Sequence, residues 1–246
     1  MSSIDDTSPT LPRLRPGPGG LPRRQVTKIQ RNRILTAAVQ TIEEVGYNEM
    51  TVALVIGRAK VSRKTFYDVF LDREDCFRAA FDETVAQARG LVLEACAEQT
   101  GWRETARAGL GRLLQFMDEE PGLAKLCVVE ALGAGERVMA SRARVLSELA
   151  AFIDRGRAAR GLAREPPEVT AEGVVGAVFA VVYTRIAEND DRPLTDLLGS
   201  LMSMIVLPYL GAAAAGRELS KPAPGSSASK RATPSSRRQG GSRSKV

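Results

Sequence analysis

The chain contains no histidine among its 246 residues. That absence removes Ser-His-Asp triads, histidine general bases and most zinc-enzyme sites. Cysteine is scarce: Cys76, Cys96 and Cys127 are widely spaced, odd in number and form no CxxC pair, so they read as reduced thiols that pack like small hydrophobes. Aromatic residues are few, with one Trp, four Tyr and seven Phe, which argues against a large planar aromatic ligand. No run of eighteen or more apolar residues occurs, and no membrane span is expected. The opening MSSIDDTSPTLPRLRPGPGG lacks a charged-then-apolar leader pattern, so a cytoplasmic location is expected. Lys, Tyr and carboxylates form no recognisable catalytic cluster either. The chain reads as a non-enzyme with no metal and no cofactor.

What is present is charge, unevenly placed. The net charge is +6, yet residues 1–33 hold seven Lys/Arg against two Asp, and residues 219–246 hold seven Lys/Arg and no acid. The body between them is therefore acidic. Such a layout suits a folded domain whose affinity for nucleic acid is helped by local basic segments.

The two ends, 1–24 and 215–246, are rich in Pro, Gly, Ser and Arg and are expected to be a disordered basic arm and a disordered basic tail. Between them Ala, Leu, Glu and Arg dominate and long β-branched alternation is absent, so the fold class is all-α with about nine helices. The first helix is expected over 28–45, with Ile34, Leu35, Ala38, Ile42 and Val45 on one stripe and Gly46 ending it. Thr51 caps a short second helix carrying Val52, Val55 and Ile56. After a break near Ala59-Lys60-Val61, Ser62 caps a third helix, 63–70, with Phe66 and Phe70 on its inner face. Asp72 begins a fourth helix with Glu74 and Asp75 in its first turn. Longer helices follow over 101–118, 121–133, 136–161, 167–188 and 194–210.

Two short helices joined by a tight turn, the second opening Ser-Arg-Lys-Thr, form a helix-turn-helix pattern. A helix fits the major groove of B-DNA, and the residues of its first turn meet base edges. Arg63 can hold guanine O6 and N7 with two parallel bonds, Lys64 offers a point charge, and Thr65 and Ser62 can meet a base edge or a phosphate. Tyr67 should face outward and donate to a phosphate, as should the backbone at Thr51. Arg24, Lys28 and Arg31 can reach phosphates or the minor groove as an arm, although a solvated charge run reads equally well there.

Over about residues 28–78 the sequence resembles the tetracycline-repressor (TetR) family of regulators. The resemblance rests on Gly46-Tyr47, Thr51-Val52, Val61-Ser62, Thr65-Phe66-Tyr67 and Phe70. Arg73 stands where the family usually has a phosphate-binding Lys. Three positions depart from the pattern: Lys60 replaces the usual turn Gly, Ile56 a small residue, and Val69 the common His or Tyr.

The resemblance implies two domains, a DNA-binding one over 25–78 and a helical effector-binding and dimerisation one over 79–214. It implies a homodimer on a palindromic double-stranded operator and a small-molecule effector of unknown identity. Effector-pocket candidates are Phe81, Trp102, Leu113, Phe116, Met117, Cys127, Phe152, Phe179 and Tyr183, each of which also suits plain core packing. Dimer-interface candidates are Val175, Phe179, Leu198, Leu201, Met202 and Ile205, on helices apolar most of the way round. The leading expectation is a transcriptional repressor released from DNA by its effector. Two other classes remain: a nonspecific DNA-binding protein driven by its basic ends, and a helical small-molecule or lipid-binding protein.

Overall fold

A computed structural model describes residues 22–159, 161 and 165–221. Among these residues there are nine α-helices, three short 3-10 turns and no strand. The helices are α1 (Arg23–Glu49), α2 (Val52–Ala59), α3 (Arg63–Tyr67), α4 (Arg73–Cys96), α5 (Trp102–Glu119), α6 (Pro121–Val128), α7 (Glu136–Asp154), α8 (Thr170–Ala187) and α9 (Leu198–Leu219).

The sequence signals for helix ends hold, because each supplies a partner for an otherwise orphaned backbone group. The Thr51 hydroxyl accepts from Leu54 N at 3.2 Å, Ser62 from Thr65 N at 3.0 Å, and the Asp72 carboxylate from Asp75 N at 2.7 Å. Gly46 breaks α1 at φ 75°, a conformation that excludes a Cβ without strain.

Several bounds differ from expectation. Helix α1 begins at Arg23, inside the stretch expected to be a disordered arm, and α9 runs to Leu219 with Ala215 and Glu218 buried, inside the expected tail. Most of the arm, 1–21, and of the tail, 222–246, lie outside the described residues. Helix α3 ends at Tyr67, and Val69 N and Phe70 N both turn back onto Phe66 O.

Two apolar clusters hold the structure. The first joins Ile34, Ile42, Tyr47, Val55, Phe66 and Phe77 to Leu126, Ala131 and Val138. It therefore runs from α1–α3 through α4 into α6 and α7, and the boundary expected between residues 78 and 79 falls within α4 and within a continuous core. The second gathers Leu114, Val182, Leu198, Leu201, Met202, Val206 and Tyr209 from α5, α8 and α9. Helix α8 and the segment 194–219 are long and apolar enough by composition to cross a membrane, with mean hydropathies of 1.3 and 1.8. Segment 194–219 contributes its apolar side to this second cluster, as a core helix of a bundle does.

Candidate nucleic-acid interface

The turn between α2 and α3 sets the site. Lys60 closes α2 at φ 53° and ψ 45°, left-handed backbone that an L side chain adopts at a cost of about 1 kcal/mol. Val61 N then bonds back to Ile56 O at 3.2 Å. The consequence is a sharp reversal that stands α3 against α1 and α2. Phe66 is wholly buried and Phe70 nearly so, their rings 5.7 Å apart, while Tyr67 meets Phe66 edge-on at 5.4 Å.

With Phe66 anchored inward, the opposite face of α3 is presented outward. Arg63 is exposed and makes no ion pair or hydrogen bond within the described residues. Lys64 is exposed and pairs with Asp68 one turn on at 2.9 Å, a solvent-facing link that a stronger anion displaces readily. Tyr67 is half exposed. Thr65 is half-buried, and its hydroxyl lies 2.8 Å from that of Ser62, so both partly serve the helix cap. Thr51 is exposed at the start of α2. Arg24 and Lys28 are exposed on the first turns of α1. Thr51, Ser62, Arg63, Lys64, Thr65 and Tyr67 are thus brought together on the two short helices.

Two expected phosphate contacts are engaged elsewhere. Arg73 Nη1 donates to the carbonyls of Tyr47, Asn48 and Met50 at 3.3, 3.1 and 2.9 Å, and its guanidinium lies 4.3 Å from the centre of the Tyr47 ring. It closes the C-terminus of α1, whose carbonyls lack helical partners, and so clamps α1 to the start of α4. Arg31 pairs with Glu83 on α4 and lies over the Phe70 ring at 5.7 Å, so it fastens α1 to α4.

A polar network not foreseen from the sequence ties this unit to the rest of the bundle. Arg137, in the first turn of α7, donates through Nη2 to both Asp72 oxygens and to Glu74 at 3.0 Å. Glu74 also accepts Arg137 N at 2.8 Å, acting as a cap for α7 supplied by another helix. Gly135 makes room for it: a Cβ there, already at φ 108°, would lie 2.6 Å from the Glu74 carboxylate. Glu130 accepts the Tyr47 N–H at 2.8 Å, just beyond the Gly46 break. The Arg137 hydrogen bonds hold the Glu74 carboxyl below its ordinary value. At Asp72 burial works upward, but the bonds from Asp75 N and Arg137 outweigh it and the net shift is downward.

The effector and dimer candidates fall into different environments. Phe81 and Phe116 are buried, Phe81 in the first cluster beside Phe77. Cys127 packs against the first cluster, and Trp102, Met117, Phe152, Phe179 and Tyr183 pack against the second; Leu113 is half-buried. Leu198, Leu201, Met202 and Ile205 lie inside the protomer's own core, as does Val175 at 9% exposure, which leaves them little surface to offer a second copy. The outward face of α8 is instead Gly173, Gly176, Ala180 and Thr184, and of α9 Leu207. Burial pushes the Cys76 and Cys127 thiols up to about 12, as suits inert core residues.

A capped two-helix unit with outward cations, set in an all-helical bundle, has the form of a helix-turn-helix. Residues 34–80 match the model for bacterial regulatory proteins of the tetR family. No curated protein sequence matches the chain. Among solved structures, the fatty acid degradation regulator FadR from Bacillus halodurans is similar at a TM-score of 0.63 and 19% identity, over 72% of this chain and 94% of that one. FadR from Bacillus subtilis, in complex with stearoyl-CoA, gives 0.63 and 21% over 71% and 97%. TylP, a tetR regulator from Streptomyces fradiae, gives 0.61 and 18% over 80% and 92%. At these identities the likeness is one of fold.

Proposed function

We propose that this protein is a dimeric, sequence-specific transcriptional repressor that leaves its operator when a small-molecule effector binds the helical body. One observation carries the DNA-reading part: Arg63, at the first position of α3, is exposed and unpaired while Phe66 of the same helix is wholly buried. The anchored helix fixes the face on which Arg63 stands, and a first-turn Arg matches guanine in the major groove. Lys64 and Thr65 assist it, and Thr51, Ser62, Tyr67, Arg24 and Lys28 act on phosphates and set register.

The dimer is supported by α8. It is apolar, yet its small residues Gly173 and Gly176 have nothing within 4 Å of where a Cβ would stand. A second copy laid there would bury that face with close backbone approach, and a two-fold pair suits a palindromic site. The effector reading is supported by a structural neighbour that holds stearoyl-CoA.

A mobility-shift titration with DNA from the protein's own promoter region tests the reading. It expects a salt-sensitive, sequence-selective complex at protein concentrations below about 1 µM. Equal affinity for scrambled DNA would overturn it in favour of charge-driven, nonspecific binding.

A further inference from the structure

The first turn of α5, the 3-10 turn at 155–158 and the C-terminal half of α9 line a half-open cleft of about 510 Å³. This volume lies in the range of small-molecule sites. Trp102, Leu210 and Ala214 give it an apolar wall, and Arg103, Arg155 and Arg217 bring positive charge. Glu104 is its one acidic lining residue, and it is taken by Arg103, whose Nε and Nη2 lie 3.0 and 2.7 Å from one carboxylate oxygen. Arg155 lies over the Phe152 ring at 5.7 Å, and neither Arg155 nor Arg217 has an acidic partner among the described residues. Arg155 and Arg217 therefore line a partly apolar cleft without an acidic partner among the described residues.

The frame behind them is rigid. Glu218, fully buried beside Arg217, accepts from Arg107 at 2.9 Å and from Lys221 at 2.7 Å, with Arg103 at 3.6 Å. The pairs with Arg103 and Arg107 tie the last turn of α9 to α5. The indole of Trp102 lies 5.1 Å from the ring of buried Tyr209, and its Nε1 is buried with no hydrogen-bond partner.

We infer that this cleft binds an organic anion, a carboxylate or phosphate carried on an apolar body, with Arg155 and Arg217 holding the charged group and Trp102, Leu210 and Ala214 the body. A planar guanidinium pair suits either oxyanion. The inference deepens the effector reading above and rests on it for its regulatory meaning.

Trp102 is the only tryptophan in the chain, so its emission reports on the cleft. Full-length protein without DNA is titrated with octanoate and with octyl phosphate, and with octanol as the uncharged control. Calorimetric titration of the same ligands reads binding independently of emission. The expected result is saturable binding of at least one anion and none of octanol, with the preferred anion identifying the oxyanion. R155A/R217A should weaken that binding about tenfold or more, since each charge-assisted contact is lost, with an unchanged melting temperature. The inference is overturned if neither anion binds up to about 1 mM, a threshold at which affinity is negligible. Octanol binding as well as the anions, or equal anion binding by the double variant, overturns it too. Because no DNA is present, any of these failures leaves the operator-binding reading standing.

Discussion

The Arg137 guanidinium reaches back along the chain to Asp72, its Nη2 lying 2.8 and 2.7 Å from the two carboxylate oxygens. Asp72 caps α4 just after α3, and Arg137 lies in the first turn of α7 of the helical body. The contact is thus a direct link between the two-helix unit and the helical body. Both side chains are partly exposed, so a double-mutant cycle with D72N and R137A should give a coupling of about 0.5–1 kcal/mol in urea unfolding. Additive effects of the two exchanges would mean that the pair holds nothing together.

The same link sets an acid limit. Glu74 and Asp72 have folded-state values below their ordinary ones, so their contribution to stability is full above the unfolded values near about pH 4 and is lost as pH falls through the lower folded values. Melting temperature should therefore decline below about pH 4 in the native protein, and R137A should flatten part of that decline. An identical acid profile in the variant would show that Arg137 does not govern these carboxylates.

Arg73 is expected to matter for stability rather than for DNA. R73A leaves the carbonyls of Tyr47, Asn48 and Met50 without their donor and should cost about 1–3 kcal/mol in denaturant unfolding. Lysine should rescue poorly, because the stacked, planar fork is lost. Full stability of R73A with weakened binding to every DNA would restore the phosphate role.

Lys60 gives a prediction of opposite sign. Its side chain is exposed and its backbone left-handed, so K60G should relieve strain and stabilise by about 0.5–1 kcal/mol, less whatever the freer unfolded chain takes back. A lower melting temperature in K60G would show that the turn tolerates Lys without strain.

Much of this arrangement was legible in the sequence, for local reasons. Thr51, Ser62, Asp72 and Gly46 mark helix ends through bonds and dihedrals formed within a few residues, and Phe66 and Phe70 show their inward face by spacing alone. The tertiary partners were not legible. Nothing near Arg73 or Arg31 in sequence signals that their cationic ends meet the carbonyls at the end of α1 and Glu83 on α4. The pairing of Asp72 and Glu74 with Arg137 joins residues more than sixty positions apart. In α8 and α9, apolar residues on most sides hide which side faces inward, so Leu198, Leu201 and Met202 read as interface when they are core.

Under the proposed function, Arg63 reads a base while its neighbours set register. The most direct measurement compares R63A with the native protein by fluorescence anisotropy on the operator and on single-base variants of it, at fixed salt. Discrimination at one guanine per half-site should fall by about 1–3 kcal/mol, with little change in affinity for unrelated DNA. A uniform loss across all sequences, with discrimination intact, would contradict the account and make Arg63 one more phosphate contact.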